Sequence, residues 1–419
     1  MGMNNPEAID VLIAGGGQVG LALALALRRS APPLAVTLVD AAAPDSWPRE
    51  GRASTIVAGG QRMLATLGVW DAIAGDAEPV THMIVTDSRT RDTVRPVFLT
   101  FTGDDDGRAG GEPMAHVVPD GVVVAALKAA AEAADVTIVA ANAITDFAVE
   151  AGAVVATAKS GAGFSARLLV AADGVNSKLR GLAGIATVGR AYGQTGIVVT
   201  VAHEKPHGGR AEEHFLPGGP FATLPLKSTK DGGSRSSLVW TEPTDVAARF
   251  VGDDALVFQV ELERRFGHRL GAITVIDKPK AFPLGITLAR EFIKPRFALV
   301  GDAAHSIHPI AGQGLNLGYR DVAALAETIV EAHRLGLDIG SMTVLDRYQR
   351  WRRYDTTEMG LVTDGLNRFF ANDNPVLRLM RDVGLGIVDR LPRLKRLFID
   401  EASGTGTGEA PRLLRGETI

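Results

Sequence analysis

The stretch "DVLIAGGGQVGLALALALRRS", residues 10 to 30, restricts the possible folds more than any other part of the chain. Residues 11 to 14 are a short apolar run of strand character, Gly15, Gly17 and Gly20 follow at G-x-G-x-x-G spacing, and strong helix formers continue beyond them. Strand, tight turn and helix in this order make a phosphate cradle. Gly15 permits the turn, Gly17 lets a pyrophosphate approach the backbone, and Gly20 lets the helix pack on the strand, while free N–H groups of the first helical turn face the phosphates. A second strand, "LAVTLVD", ends at Asp40, twenty residues past Gly20, where an adenosine ribose needs an acceptor for its hydroxyls. A dinucleotide site is therefore expected here. A membrane span or export signal is not, because residues 11 to 27 cover only seventeen positions with Gln18 and four glycines among them, and the residues before them include Glu7 and Asp10 but no Lys or Arg.

The absence of cysteine rules out disulfides, thiolate metal sites and a redox-active cysteine pair, so any redox chemistry must come from a borrowed cofactor. No metal site is expected; His305 and His308 lie three apart in a loop punctuated by Pro and Gly. A formal charge of -4 gives no case for nucleic acid as a partner. The length of 419 residues suggests two or three domains.

A second glycine pattern, Gly161, Gly163 and Ala166 in "SGAGFSARLLVAADG", lies between two strand-like runs with no helix after it, which predicts a hairpin turn. Upstream, "REGRASTIVAGGQRMLATLGVWDAI" has a mostly helical pattern and "HMIVTDS" reads as a strand. Residues 90 to 113 look like an exposed loop between domains. "DGVVVAALKAAAEAA" predicts a helix and "VTIVAAN" a strand, and from 192 to 284 the texture changes to alternating strands and turns. "RFALVGDAAHSIHPIAGQGLNLGYRDVAALAETIVEAH" then returns to strand, loop and long helix, as if the first unit resumes after an interruption. Its strand runs into Gly301 and Asp302, an acid placed to bind a sugar or ribityl hydroxyl or, alternatively, to cap a helix. Pro309, Gly312 and Gly314 build an irregular loop, and a helix starting near Leu315 would aim its N–H groups and positive dipole end at an anion.

"GGGQVG", "AADGVNSKLR" and "ALVGDAAHSIHPIAGQGLNLGYRDV" together resemble the three sequence signatures of flavin-dependent aromatic monooxygenases of the para-hydroxybenzoate hydroxylase fold. The likeness extends through "GRASTIVAGGQRML", "GPFATLPL" and "LVWTEP", from about residue 10 to 400, and is strongest to the ubiquinone-biosynthesis hydroxylases. It implies an α/β fold: a Rossmann-like FAD-binding domain interrupted by a mainly β-sheet substrate domain, with a helical C-terminal region. The implied division is FAD-binding domain at 1–80, 114–190 and 289–370, and substrate domain at 81–113 and 191–288. A C-terminal helical segment at 371–403 and a disordered tail at 404–419 complete it.

The resemblance places Gly15, Gly17, Gly20, Asp40, Arg52, Asp173, Asp302, Pro309, Gly312, Gln313, Gly314, Leu315 and Asn316 at the cofactor. Leu315 and Asn316 would offer N–H groups to the pyrimidine end of the reduced flavin. Arg52 is read as an unpaired cation near the phosphates or the ring, and Asp173 as a pyrophosphate-region residue that helps seat the nicotinamide donor. Asp120 stands where relatives carry a Glu-Asn pair, so no flavin contact is assigned to it. The implied reaction consumes NADH or NADPH and molecular oxygen and places one hydroxyl on the ring of a prenylated phenol, the donor binding transiently over the flavin. No base for the phenol stands out; Tyr192, Tyr319, His214 and His305 are candidates by residue type alone, and His305 also suits a packed position beside the loop. Two other readings stay open: a flavin reductase or oxidase of an isoprenoid or other small molecule, and a non-catalytic prenyl-lipid-binding flavoprotein. The basic amphipathic stretch 374–404 either packs on the FAD-binding domain or docks on a membrane or biosynthetic partner. A cytoplasmic chain peripheral to the inner face of the membrane is the corresponding location.

Overall fold

The strand Ile9–Ala14 is apolar on both faces, as a central parallel strand must be, and Val11, Leu12 and Ile13 are fully buried. The computed structural model, which describes residues 9–43, 52–88, 95, 97–102, 113–252, 254–370 and 410–419, pairs this strand in parallel with Val36–Val39 and Gly163–Ala171. Thr137–Val139 and Phe297–Leu299 extend the sheet on either side, again in parallel. The helix Gln18–Ser30 buries every residue from 20 to 27, because it is held between this sheet and the helices Asp120–Ala133 and Gln313–Arg334. The second glycine pattern is a hairpin: Val154–Ala158 runs antiparallel to Gly163–Ala171, and Gly161 takes the left-handed turn conformation at φ 87°.

A second sheet of nine strands carries the other half of the architecture. Its order is His305–Ser306, Lys280–Ala289, Thr187–His203, Ser234–Pro243, Gly219–Leu226, Arg210–Leu216, His82–Asp87 and Val97–Thr102, with Ile273–Val275 paired beside Thr187–His203. Side chains alternate between its faces. Ile197, Val199, Phe221, Leu238 and Trp240 point to one side and form a core with Phe258 and Leu262 from the helix Ala255–Phe266. The opposite face is turned toward the first sheet and its helices. A small third sheet, Ala53–Val57, Ala115–Pro119 and Glu78–Val80, stands beside them.

Three expectations change. Residues 53–57 are a strand rather than the start of a helix, which begins only at Ala58; the β-branched run Thr55, Ile56 and Val57 suits the strand Ala53–Val57, antiparallel to Ala115–Pro119. Within the stretch read as an exposed loop, Val97–Thr102 is the edge strand of the large sheet, paired with His82–Asp87. The tail is not disordered at 410–419: Arg412–Arg415 is a helical turn, and Leu413, Leu414 and Ile419 are buried in the core of the first sheet and its helices. The stretch 374–404 lies outside the described residues. No helix among the described residues is long and apolar enough to cross a membrane.

Candidate cofactor and substrate site

Two helix N-termini converge on one cavity of about 780 Å³. The helix Gln18–Ser30 starts after Gly17, with no side-chain cap and no acid in its first turn, so its leading N–H groups are free for an anion. The three glycines have different duties. A Cβ on Gly15, which sits at φ 119°, would meet the Ala172 carbonyl oxygen at 2.2 Å, and one on Gly20 would meet the Gly15 carbonyl oxygen at 2.0 Å. Gly17 differs, because a Cβ there meets nothing within 4 Å and would project into open space at the cavity wall. Asp40, at the end of Val36–Val39, accepts from the Gly16 N–H at 2.5 Å and the Ala42 N–H at 2.7 Å, which fixes the turn. Each carboxylate oxygen keeps lone-pair capacity for a ribose hydroxyl.

The second N-terminus belongs to Gln313–Arg334, which begins after Gly312 in the left-handed conformation, φ 63°, also without a side-chain cap or a first-turn acid. Pro309, Gly312, Gln313, Gly314 and Leu315 all line the cavity. Asn316 does not; its buried amide donates to the carbonyls of Thr55 and Gly312 and accepts from the Val57 N–H, tying the loop to the strand Ala53–Val57.

Carboxylates surround this cradle. Asp302 projects into the cavity, where solvent reaches it although protein encloses it on most sides, and that desolvation raises its pKa against the opposing pull of His305 and Arg52. Asp173 accepts from the Leu179 N–H at 3.4 Å through one oxygen, while its buried Oδ1 has no hydrogen-bond partner. Arg52 is not the unpaired cation expected: its Nε lies 2.9 Å from Asp120 Oδ2, and Ser54 donates to the other Asp120 oxygen. The Arg52–Asp120 pair lines the cavity. Behind Asp302 lies a fully buried ionic cluster. Asp321 accepts from the Gly301 N–H at 2.8 Å and from Arg352 at 2.7 Å, and contacts His305 Nε2 at 2.6 Å. Burial pushes the Asp321 carboxyl up, but His305 and Arg352 together outweigh it and hold it below its ordinary value.

None of the four residues considered as a base lines the cavity. His305 is bound to Asp321 as just described. His214 is buried on the other side of its strand, with ring nitrogens at Thr86 Oγ1 and Ser88 Oγ. Tyr319 is fully buried and donates to Gln18 Oε1 at 3.0 Å, and Tyr192 stands edge-on to His308 at 5.3 Å beneath the Arg190 guanidinium. The titratable group that the sequence reading passed over is Glu213, buried in the cavity wall, where desolvation pushes its carboxyl up to about 8. One signal was available. In "RAEEHFL" two adjacent acids on a strand must face opposite sides, so one of them enters a half-buried sheet's interior.

The cradle fits a dinucleotide cofactor on its own geometry. Gly17 leaves open the space a pyrophosphate requires, two uncapped helix ends offer positive potential, and an orphaned Asp173 oxygen awaits a donor. Residues 8–359 match the FAD binding domain family. Over 416 residues the chain is 42% identical to the ubiquinone hydroxylase UbiL of Rhodospirillum rubrum, covering 98% of this chain and 93% of that protein. It is 35% identical over 405 residues to the 3-demethoxyubiquinol 3-hydroxylase of Escherichia coli, covering 95% and 99%. The fold is shared with the p-nitrophenol 4-monooxygenase PnpA of Pseudomonas putida, at a TM-score of 0.78 and 19% identity over 96% of this chain and 99% of that one.

Proposed function

The chain belongs to the FAD binding domain family and is an FAD-dependent aromatic-ring monooxygenase, and from that premise we propose that it hydroxylates a prenylated phenol on the route to ubiquinone. The observation that carries the substrate class is the asymmetry of the cavity. One wall is the cofactor cradle; the facing wall is a sheet surface of aliphatic and aromatic side chains such as Met83, Leu99, Phe101, Leu224 and Leu284. Such a wall favours an apolar ligand by about 25 cal/mol per Å² of surface removed from water. Bound FAD supplies the redox chemistry, taking electrons from NADH or NADPH and activating molecular oxygen. The protein's part is to hold the phosphates at Gly17, present the Gln313–Arg334 dipole and Asp302 to the cofactor, and keep the ring in a water-poor space.

The proposal includes peripheral access to a membrane-dissolved substrate, supported by the six cations Arg378, Arg381, Arg390, Arg393, Lys395 and Arg396 against the four acids Asp382, Asp389, Asp400 and Glu401 in 374–404, a stretch outside the described residues. Salt-sensitive co-sedimentation of the whole chain with anionic vesicles tests it. The function itself is tested by purifying the protein with its flavin and following NADH and NADPH oxidation with and without prenylated phenols. Substrate-stimulated oxidation with a product heavier by one oxygen atom, drawn from labelled molecular oxygen, is expected. Reduction of the flavin with no oxygen incorporated would move the chain to the reductases.

A further inference from the structure

The pairing register of the nine-stranded sheet lines up one side chain per strand across the cavity face. Val198 pairs with Val239, Val239 with Ala222, Ala222 with Glu213, Glu213 with Val85, and Val85 with Leu99. All six line the cavity. Five are apolar and the sixth is a carboxylic acid. Glu213 is 6% exposed, and among the described residues its carboxyl forms no hydrogen bond or ion pair. Neighbouring Glu212 shows what an acid on this strand does when it serves structure: it takes the other side and pairs with Arg210 and Arg269. The charged groups that line the cavity with Glu213 are Arg52 and Asp120, already paired with each other, Glu212, held by Arg210 and Arg269, and Asp302. A buried carboxyl without a partner is costly to the fold and is expected only where a ligand supplies the partner.

Resting on the aromatic-hydroxylase reading above, we infer that Glu213 is the catalytic base: its carboxylate accepts a hydrogen bond from the ring hydroxyl of the bound phenol and takes that proton as the ring is hydroxylated. The phenolic O–H bond breaks with its electron pair left on oxygen, and a new O–H bond forms on a Glu213 oxygen. The charge released into the ring enriches the ortho and para carbons, which is what attack on electrophilic oxygen requires. When the hydroxylated carbon loses its hydrogen as a proton, which goes to the second oxygen atom of molecular oxygen as that atom leaves as water, the ring regains aromaticity, the phenolate oxygen recovers its proton from Glu213, and the carboxylate is restored. Burial helps the exchange, because a carboxyl near 8 is far closer in acidity to a phenol, about 10, than an ordinary glutamate is.

The test uses the FAD-loaded full chain. Glu213→Gln should retain flavin and bind the prenylated phenol to the oxidised enzyme with an affinity close to wild type, read from the flavin absorbance shift. Hydroxylation should fall by roughly 10² to 10⁴, with loss of the rate increase that the wild type shows as pH rises through about 8. Glu213→Asp should recover part of the rate. A ring-fluorinated prenylated phenol, ionised without help, should be hydroxylated by Glu213→Gln with a much smaller deficit. If the wild type hydroxylates and Glu213→Gln matches its rate and pH profile, Glu213 is not the base. A wild type that binds flavin yet hydroxylates no phenol overturns the substrate assignment and this role with it.

Discussion

At the scale of single residues, Gly17 and Glu213 carry the most information, and they were unequally visible. Gly17 is legible from spacing alone, since only a residue without a side chain lets phosphate reach the backbone. At φ -70° and ψ 179° its backbone conformation is one that valine adopts freely. Gly17→Val should therefore fold with wild-type stability and purify without flavin, and a variant with full flavin absorbance would remove the phosphate assignment. Glu213 was not legible, because its burial depends on which face of Arg210–Leu216 meets the cavity, and that is set by pairing with Gly219–Leu226 and His82–Asp87. Its raised pKa has a consequence for stability. From about pH 4.5 to 8 the unfolded chain has lost this proton while the folded one keeps it, so folding free energy declines by about 1.4 kcal/mol per pH unit at most, and the loss is complete above pH 8. The stability of the apoprotein should fall over that window, and Glu213→Gln should flatten the fall; parallel urea-midpoint curves for the two proteins would show that the carboxyl is not desolvated.

Among the elements, the long helix Gln313–Arg334 does two jobs that its sequence only half discloses. Its glycine-rich entry is plain in "AGQGLNLG", but nothing local to Asp321 shows that its carboxylate gathers Gly301, His305 and Arg352 from three other segments. The bond to the Gly301 N–H holds the turn that delivers Asp302 to the cavity, and Arg352 joins the following helix Met342–Phe370 to the same point. Removing Asp321 would take from the buried Arg352 and His305 the carboxylate they share, and breaking a buried ion pair in this way costs roughly 3 to 5 kcal/mol. Asp321→Ala should lower the urea midpoint accordingly and weaken flavin binding through the displaced turn. Because the Asp321 pKa lies below its ordinary value, this contribution is present above the unfolded-state pKa and is lost as pH falls through the folded one, so the variant and the wild type should converge in strong acid. A penalty at neutral pH no larger than that of an exposed ion pair would mean that water already reaches the cluster. The strand Ala53–Val57 teaches a related point: its helical pattern was overridden because Asn316, some 260 positions away in the chain, supplies hydrogen bonds to its backbone.

For the whole molecule, the decisive feature is that the chain comes back to its starting unit. After the helix Met342–Phe370, the residues at 410–419 lie against the same core as the first strand, with Leu413, Leu414 and Ile419 at 1%, 3% and 7% exposure. Polar ties reinforce the contact: Arg62 donates to the Leu414 carbonyl, the Arg412 N–H to Glu327, and Arg334 to the Ile419 carbonyl. Low-complexity "GTGTG" suggested a loose end, and composition gave no hint that ten residues beyond it would dock, because docking depends on a groove assembled by Ala58–Thr66 and Gln313–Arg334. A deletion that removes everything after residue 373 therefore cannot isolate a membrane-binding role for 374–404, since it strips core side chains as well. Deleting 410–419 alone should cost on the order of 5 kcal/mol, taking about 1.5 to 3 for each of the three buried side chains and discounting for a denatured state that already shields some of that surface. The expected result is a lower urea midpoint with an unchanged cavity and flavin spectrum in the protein that remains folded. A shortened chain as stable as the full one would show that these residues rest on the surface without supporting it, and a truncation at 373 would then become a clean test of membrane docking.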